Sequence, residues 1–161
     1  MKRIFAALIL STVIVQACGF HLRGTFSLPP SMKTVYVKSA DAALGAKVEE
    51  LLKQSGSIIA TATGESAAIV RITDVNLARD VSTVDPRGKV TGYMLVLSAS
   101  YAVDDAAGKS LLRRQSLRVQ RDYSFDAEQV LAKEGEEEFL RQDMESDAAQ
   151  QIVRQMAATA R

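Results

Sequence analysis

With 161 residues, 47% of them hydrophobic and 24% charged, the chain suits one globular domain; it is too short for two comfortable ones and too apolar for wholesale disorder. Twenty Lys and Arg stand against nineteen Asp and Glu, so no global field draws in nucleic acid. Trp is absent and Tyr and Phe are few, which excludes the wide aromatic platforms that stack bases or sugars.

Residues 1–17 read as an export signal. Lys2 and Arg3 give it a positive start, and Ile4 to Val15 form an apolar run of about twelve residues interrupted only by Ser11 and Thr12. A bilayer span needs about twenty such residues, so the run is a signal rather than a transmembrane helix. It ends Val15-Gln16-Ala17-Cys18, which resembles the lipobox of bacterial lipoproteins: an aliphatic residue, a tolerant position, a small residue, then the cysteine that is acylated and becomes the first residue. Cleavage after Ala17 by ordinary signal peptidase would instead give a soluble secreted protein. Cysteine usage favours the lipid. Cys18 is the only cysteine, so it has no internal disulfide partner in an oxidising compartment, where a bare thiol is a liability.

Lipoprotein-type acylation supplies more than one chain, which holds a protein stably at a membrane where one chain does not. Gly19, where lipoproteins retained in the inner membrane tend to carry Asp, points to the outer membrane. No cofactor is expected beyond this covalent lipid. Once residues 1–17 leave with Lys2 and Arg3, eighteen basic residues face nineteen acidic ones.

Residues 18–33 form the lipidated N-terminus and a tether, broken by Gly19, Gly24, Pro29 and Pro30. A single α+β domain follows over 34–161. Thr34 to Lys38 alternates as a short strand. Asp41 then caps a helix whose Leu44, Val48, Leu51 and Leu52 share a face, with Gly56 as its stop. Three long strands follow over 67–79, 91–103 and 111–125. In the second, Tyr93, Leu95, Leu97, Ala99, Tyr101 and Val103 fall on one face by strict alternation; in the third, Leu117, Val119, Arg121, Tyr123 and Phe125 do. Turns are signalled at Asp85-Pro86-Arg87-Gly88-Lys89 and at 104–109.

The last element is a helix. Asp126 and Gln129 make a capping pair, and Leu140, Met144, Ala148, Ile152 and Met156 form a buried stripe; Gly135 marks a break or bend near 133–138. The order β-α-β-β-β-α predicts a four-stranded, mixed but mostly antiparallel sheet with two helices packed on one face.

Catalytic chemistry finds little to work with. The one histidine, His21, lies in the tether, away from the rigid neighbours a general base needs, and one His with no free Cys makes no usual zinc site. The Glu134 to Glu138 run reads as a solvated helix face. Basic residues gather at hairpin ends and along one strand: Arg87 and Lys89, then Lys109, Arg113 and Arg114, then Arg118 and Arg121, with Lys133 near the start of the last helix. Such side chains can grip phosphates, although at turns they also simply keep edges soluble.

Three segments together resemble the LptE family of lipopolysaccharide-assembly lipoproteins: Cys18 to Gly24 after the lipid cysteine, Arg87 to Tyr93 running from turn into strand, and Phe125 to Arg154 with its Val130-Leu131-Ala132-Lys133. Their order and spacing match along the whole chain. Gly92 departs from the acidic residue that pattern has before the tyrosine.

The resemblance implies a four-stranded sheet with two helices and no enzymatic activity. It implies a lipoprotein that plugs and helps assemble the LptD β-barrel in a one-to-one complex and binds lipopolysaccharide on its way to the cell surface. Arg87 and Lys133 would contact lipopolysaccharide, with Lys89 beside Arg87 in the same role. Two other readings remain open at this point: an adaptor lipoprotein of another envelope transport or barrel-assembly system, and a periplasmic cell-wall hydrolase.

Overall fold

The computed structural model describes residues 26–65, 67–124 and 130–158, with 130–134 described by backbone alone. Cys18, His21 and the Asp126–Gln129 capping pair lie outside the described residues. The elements are β1 (Thr34–Ser39), α1 (Ala42–Gln54), β2 (Ile58–Ile59), β3 (Ala68–Val84), β4 (Val90–Asp105), β5 (Ser110–Ser124) and α2 (Val130–Ala158), with 3-10 turns at Pro30–Met32 and Thr63–Glu65. They form one sheet in the order β2-β1-β3-β4-β5. β1 runs parallel to both β2 and β3, and β3, β4 and β5 make an antiparallel meander.

The sheet has five strands, not four. β2 is the addition, and two residues cannot display the alternation by which a strand is recognised. Ile58 and Ile59 pair with Thr34 and Val35 after the chain turns back at the end of α1. β3 also outruns its expected end by five residues. Its last stretch, Asp80 to Val84, is exposed throughout, so no buried face marks it in the sequence.

β1 covers β3 only from Ala68 to Ile72, so the sheet is five strands wide at one end and three at the other. A bulge explains the odd apolar spacing of β3. Register shifts between Thr73 and Asn76, where Asp74 takes φ 53°, and the phase resets so that Ile72, Val75 and Leu77 all point to the helix side.

One face carries the core. Val35, Val37, Val70, Ile72, Leu95, Leu97, Val103 and Val119 of the sheet meet Leu44, Val48 and Leu52 of α1 and Met144, Ala148, Ile152 and Met156 of α2. Each Val, Leu, Ile or Met among them, when fully buried, contributes about 1.5–3 kcal/mol of transfer free energy. Asp41 caps α1 as expected, its Oδ1 accepting from Leu44 N at 2.8 Å. α2 is continuous through Gly135, so the expected break is absent; nothing crowds that glycine. The segment read as tether is part of the domain from Phe26 onward: Phe26 and Leu28 pack on the core and Met32 is buried within it. The opposite face of the sheet is mixed: Arg71–Asp104 and Arg114–Asp74 ion pairs and Ser100 and Ser116 hydroxyls 3.3 Å apart share it with Tyr36, Ile69, Met94 and Val96.

Candidate functional site: a basic turn and its ionic surroundings

Both hairpin turns are built the same way. Asp85 Oδ1 accepts from the backbone N–H of Arg87 at 2.8 Å and of Lys89 at 2.9 Å, and Asp85 N donates to Lys89 O at 2.8 Å. Asp105 does the same for Ala107 and Lys109. Gly88 and Gly108 sit at the equivalent φ of 81°, a conformation glycine adopts without steric cost. The carboxylate thus fixes the backbone while the side chains of Arg87 and Lys89 stay exposed. Only the first turn carries two cations; Ala107 stands where Arg87 would be.

The meander puts these turns at opposite ends of β4, sixteen residues and on the order of 50 Å apart. Lys109, Arg113 and Arg114 are therefore not part of one surface with Arg87 and Lys89. α2 does start toward the Arg87 end. Ser124, the last residue of β5, pairs with Gly92, and five residues spanning at most about 20 Å separate it from Val130. Lys133 lies in the first turn of α2; its side chain is outside the described residues.

Gly92 has a steric reason to be glycine. A Cβ there would run into Thr83 Oγ1 and come within 3.0 Å of Ser82 Oγ, so the side chain expected before the tyrosine fits only if those side chains shift. Next to it, the Arg79 guanidinium lies 4.8 Å from the centroid of the Tyr93 ring, which is itself 5.8 Å from the Tyr123 ring. Tyr123 Oη donates to Glu137 Oε2 at 2.7 Å, and Arg79 Nη1 lies 3.2 Å from the same oxygen. Burial first, then this bond to Glu137, pushes the Tyr123 hydroxyl up to about 12.

Further along, Arg121 bonds Asp143 at 2.9 Å and also pairs with Asp147; Asp147 first and then Asp143 favour its charged form. Arg141 binds Glu138 at 2.7 Å and also Glu145, which is 4% exposed. Arg121 is thus spent on α2 rather than offered to a ligand, whereas Arg118 remains exposed. Glu137 likewise is tied to the sheet through Arg79 and Tyr123 while staying partly exposed. A sign of this was present in the sequence: Arg121 falls on the apolar face of its strand, where a cation needs a partner, and Asp143 and Asp147 stand four apart on one helix face.

Among the described residues no group of three or more His, Cys, Asp or Glu could hold a metal ion, and no helix is long and apolar enough to cross a membrane. In class, this is a helix-backed α+β domain with two exposed cations, Arg87 and Lys89, on one tightly held hairpin turn.

Comparison with known proteins narrows the class. Residues 32–156 match the family model LptE, described as lipopolysaccharide-assembly. The LPS-assembly lipoprotein LptE of Pectobacterium atrosepticum is 32% identical over 150 residues, covering 91% of this chain and 80% of that one. That of Photorhabdus laumondii is 29% identical over 149 residues, covering 91% and 81%.

Among solved structures, an uncharacterized lipoprotein B from Nitrosomonas europaea superposes with a TM-score of 0.73 at 32% identity, over 87% of this chain and 91% of that one. The rare lipoprotein B of Shewanella oneidensis gives 0.68 at 29%, over 78% and 95%. The chain belongs to the LptE family.

Proposed function

We propose that this protein is an outer-membrane lipoprotein, acylated on Cys18, that sits in the LptD β-barrel, aids its assembly and contacts lipopolysaccharide during delivery to the cell surface. Arg87, Lys89 and Lys133 are its contact residues for the lipid A phosphates. The observation that carries the contact is the placement of Arg87 and Lys89: both are exposed on a turn whose backbone Asp85 holds, at the end of the sheet toward which α2 begins. A guanidinium offers phosphate a two-pronged contact and a lysine a mobile charge, a pairing suited to an anionic amphiphile. A barrel lumen is polar, and the mixed-charge surface of this domain matches such a wall.

Titration with lipopolysaccharide tests the contact. Replacing Arg87, Lys89 and Lys133 together by alanine should weaken binding by about tenfold or more, the loss of roughly 1.4 kcal/mol. Unchanged affinity removes these residues from the role. Affinity purification from membranes tests the partnership, with one large barrel in equal amount as the expected companion. A different envelope complex in its place would favour the adaptor reading.

A further inference from the structure

The end of the domain away from Arg87 has a corner of its own. At the α1–β2 junction, Ile58 is 59% exposed on an edge strand of two residues. Its backbone N–H donates to Lys33 O at 2.8 Å, which sets Lys33 beside it along the backbone, and Lys53 lies five residues before it in the last turn of α1, where Gly56 N donates to Lys53 O at 3.0 Å; both lysines are exposed. The chain enters the domain at the same corner. Phe26 N donates to Ser55 Oγ at 3.3 Å, and Ser57 Oγ donates to Met32 O at 2.9 Å, which lays residues 26–33 along it.

A single exposed isoleucine is ordinary on a protein surface. This one is set apart by position and company. Seven residues separate Phe26 from Cys18, eight Cα steps or at most about 28 Å of extended chain, so an acyl group on Cys18 confines this corner to the neighbourhood of the bilayer. An apolar side chain near two lysines matches the boundary between acyl chains and anionic headgroups: the isoleucine enters, and the lysine stems lie along the surface with their ammonium groups at phosphate. Glu50 accepts from Gln54 and Glu65 from Thr61; these donors are neutral and leave both carboxylates charged, so the isoleucine and the two lysines act together against them at an anionic surface.

We propose that the α1–β2 corner, Ile58 with Lys33 and Lys53, rests in the anionic headgroup layer of the membrane that anchors Cys18. The proposal rests on the lipid-anchor reading above. It fixes which end of the domain faces the bilayer and directs the Arg87 turn away from it.

Because Cys18 is the only cysteine, an Ile58→Cys variant that is acylated has one free thiol for a nitroxide label. The mature protein, extracted from membranes, would be reconstituted into phosphatidylcholine vesicles with and without one third phosphatidylglycerol. With phosphatidylglycerol, the label at 58 should favour collision with oxygen over a water-soluble nickel complex. A label on Val84→Cys should remain fully aqueous. Exchanging Lys33 and Lys53 for Gln should return the label at 58 to water, lowering the ratio of inserted to aqueous label roughly fivefold per lysine.

Equal nickel access at 58 and 84, or equal depth on neutral vesicles, would overturn the proposal while leaving the anchor intact. Failure of the protein to float with either vesicle, with Cys18 itself taking up label, would sink the anchor reading and this proposal together.

Discussion

The two halves of α2 hold to the same sheet by different means. From Met144 to Met156 the helix is bound by apolar packing: Met144, Ala148, Ala149, Ile152, Val153 and Met156 are all fully buried. Before Met144 that seam thins to a half-buried Leu140, and Phe139 points out with 68% of its surface exposed. Here the links to the sheet are polar: Glu137 with Arg79 and Tyr123, and Arg121 with Asp143, extended by Asp147. Added salt does not weaken apolar contact by screening, whereas partly exposed ion pairs lose strength as ionic strength rises. The half nearer the Arg87 turn is therefore the half that solvent conditions can loosen.

The largest test of this contrast is Ile152→Ala, which should cost about 2–5 kcal/mol in denaturant unfolding because it opens a cavity in a packed seam. Next comes Gly92→Ala. The new methyl group runs into Thr83 Oγ1, and about 1–3 kcal/mol should be lost, part of it regained in the Gly92→Ala, Thr83→Ala double variant.

Arg121→Ala should cost less, about 1 kcal/mol, since both its carboxylate partners are over 40% exposed. Its signature is local: amide hydrogen exchange should quicken over 135–143 and stay slow over 148–156, and high salt should imitate the variant. A cost matching that of Ile152→Ala would erase the contrast.

Proton uptake gives the smallest effect. Arg141, then Gln142, hold Glu138 down at about 2, below the ordinary 4.5, so the folded state binds fewer protons; this contribution is in place above 4.5 and is lost as pH falls through about 2. Burial moves Glu145 upward instead, so the folded state binds that proton more tightly and gains, relative to the unfolded chain, as Glu145 protonates. Carboxyl chemical shifts followed against pH should therefore separate the two glutamates in opposite directions from the ordinary value.

Periodicity made much of this fold legible. The alternating residues Leu95 to Val103 of β4 and Leu117 and Val119 of β5 are buried, although Val96, Ser100 and Asp104 on the other face of β4 are buried too, and the four-residue stripe of α2 names Met144, Ala148, Ile152 and Met156 but misses Ala149 and Val153. Alternation has nothing to act on in two places. β2 is too short to alternate, and the far end of β3 is exposed on both faces. The turn holding Arg87 and Lys89 was legible because Asp85, Pro86 and Gly88 each suit one position of it. The ionic half of α2 was not, because Arg79 and Glu137 are 58 residues apart and meet only once register is set. The same limit applied to the two basic turns, which look alike in sequence and are separated by the length of a strand.

The uneven reach of the strands has one more consequence. With neighbouring strands about 4.8 Å apart, the outer strands are separated by about 19 Å where β2 and β1 are present and by about 10 Å where only β3, β4 and β5 continue. A body with that taper has a leading end and a trailing end before any charge is considered. Offered to an opening of intermediate width, the sheet by itself would pass narrow end first and be stopped where β1 and β2 begin, so strand length alone would give it a direction.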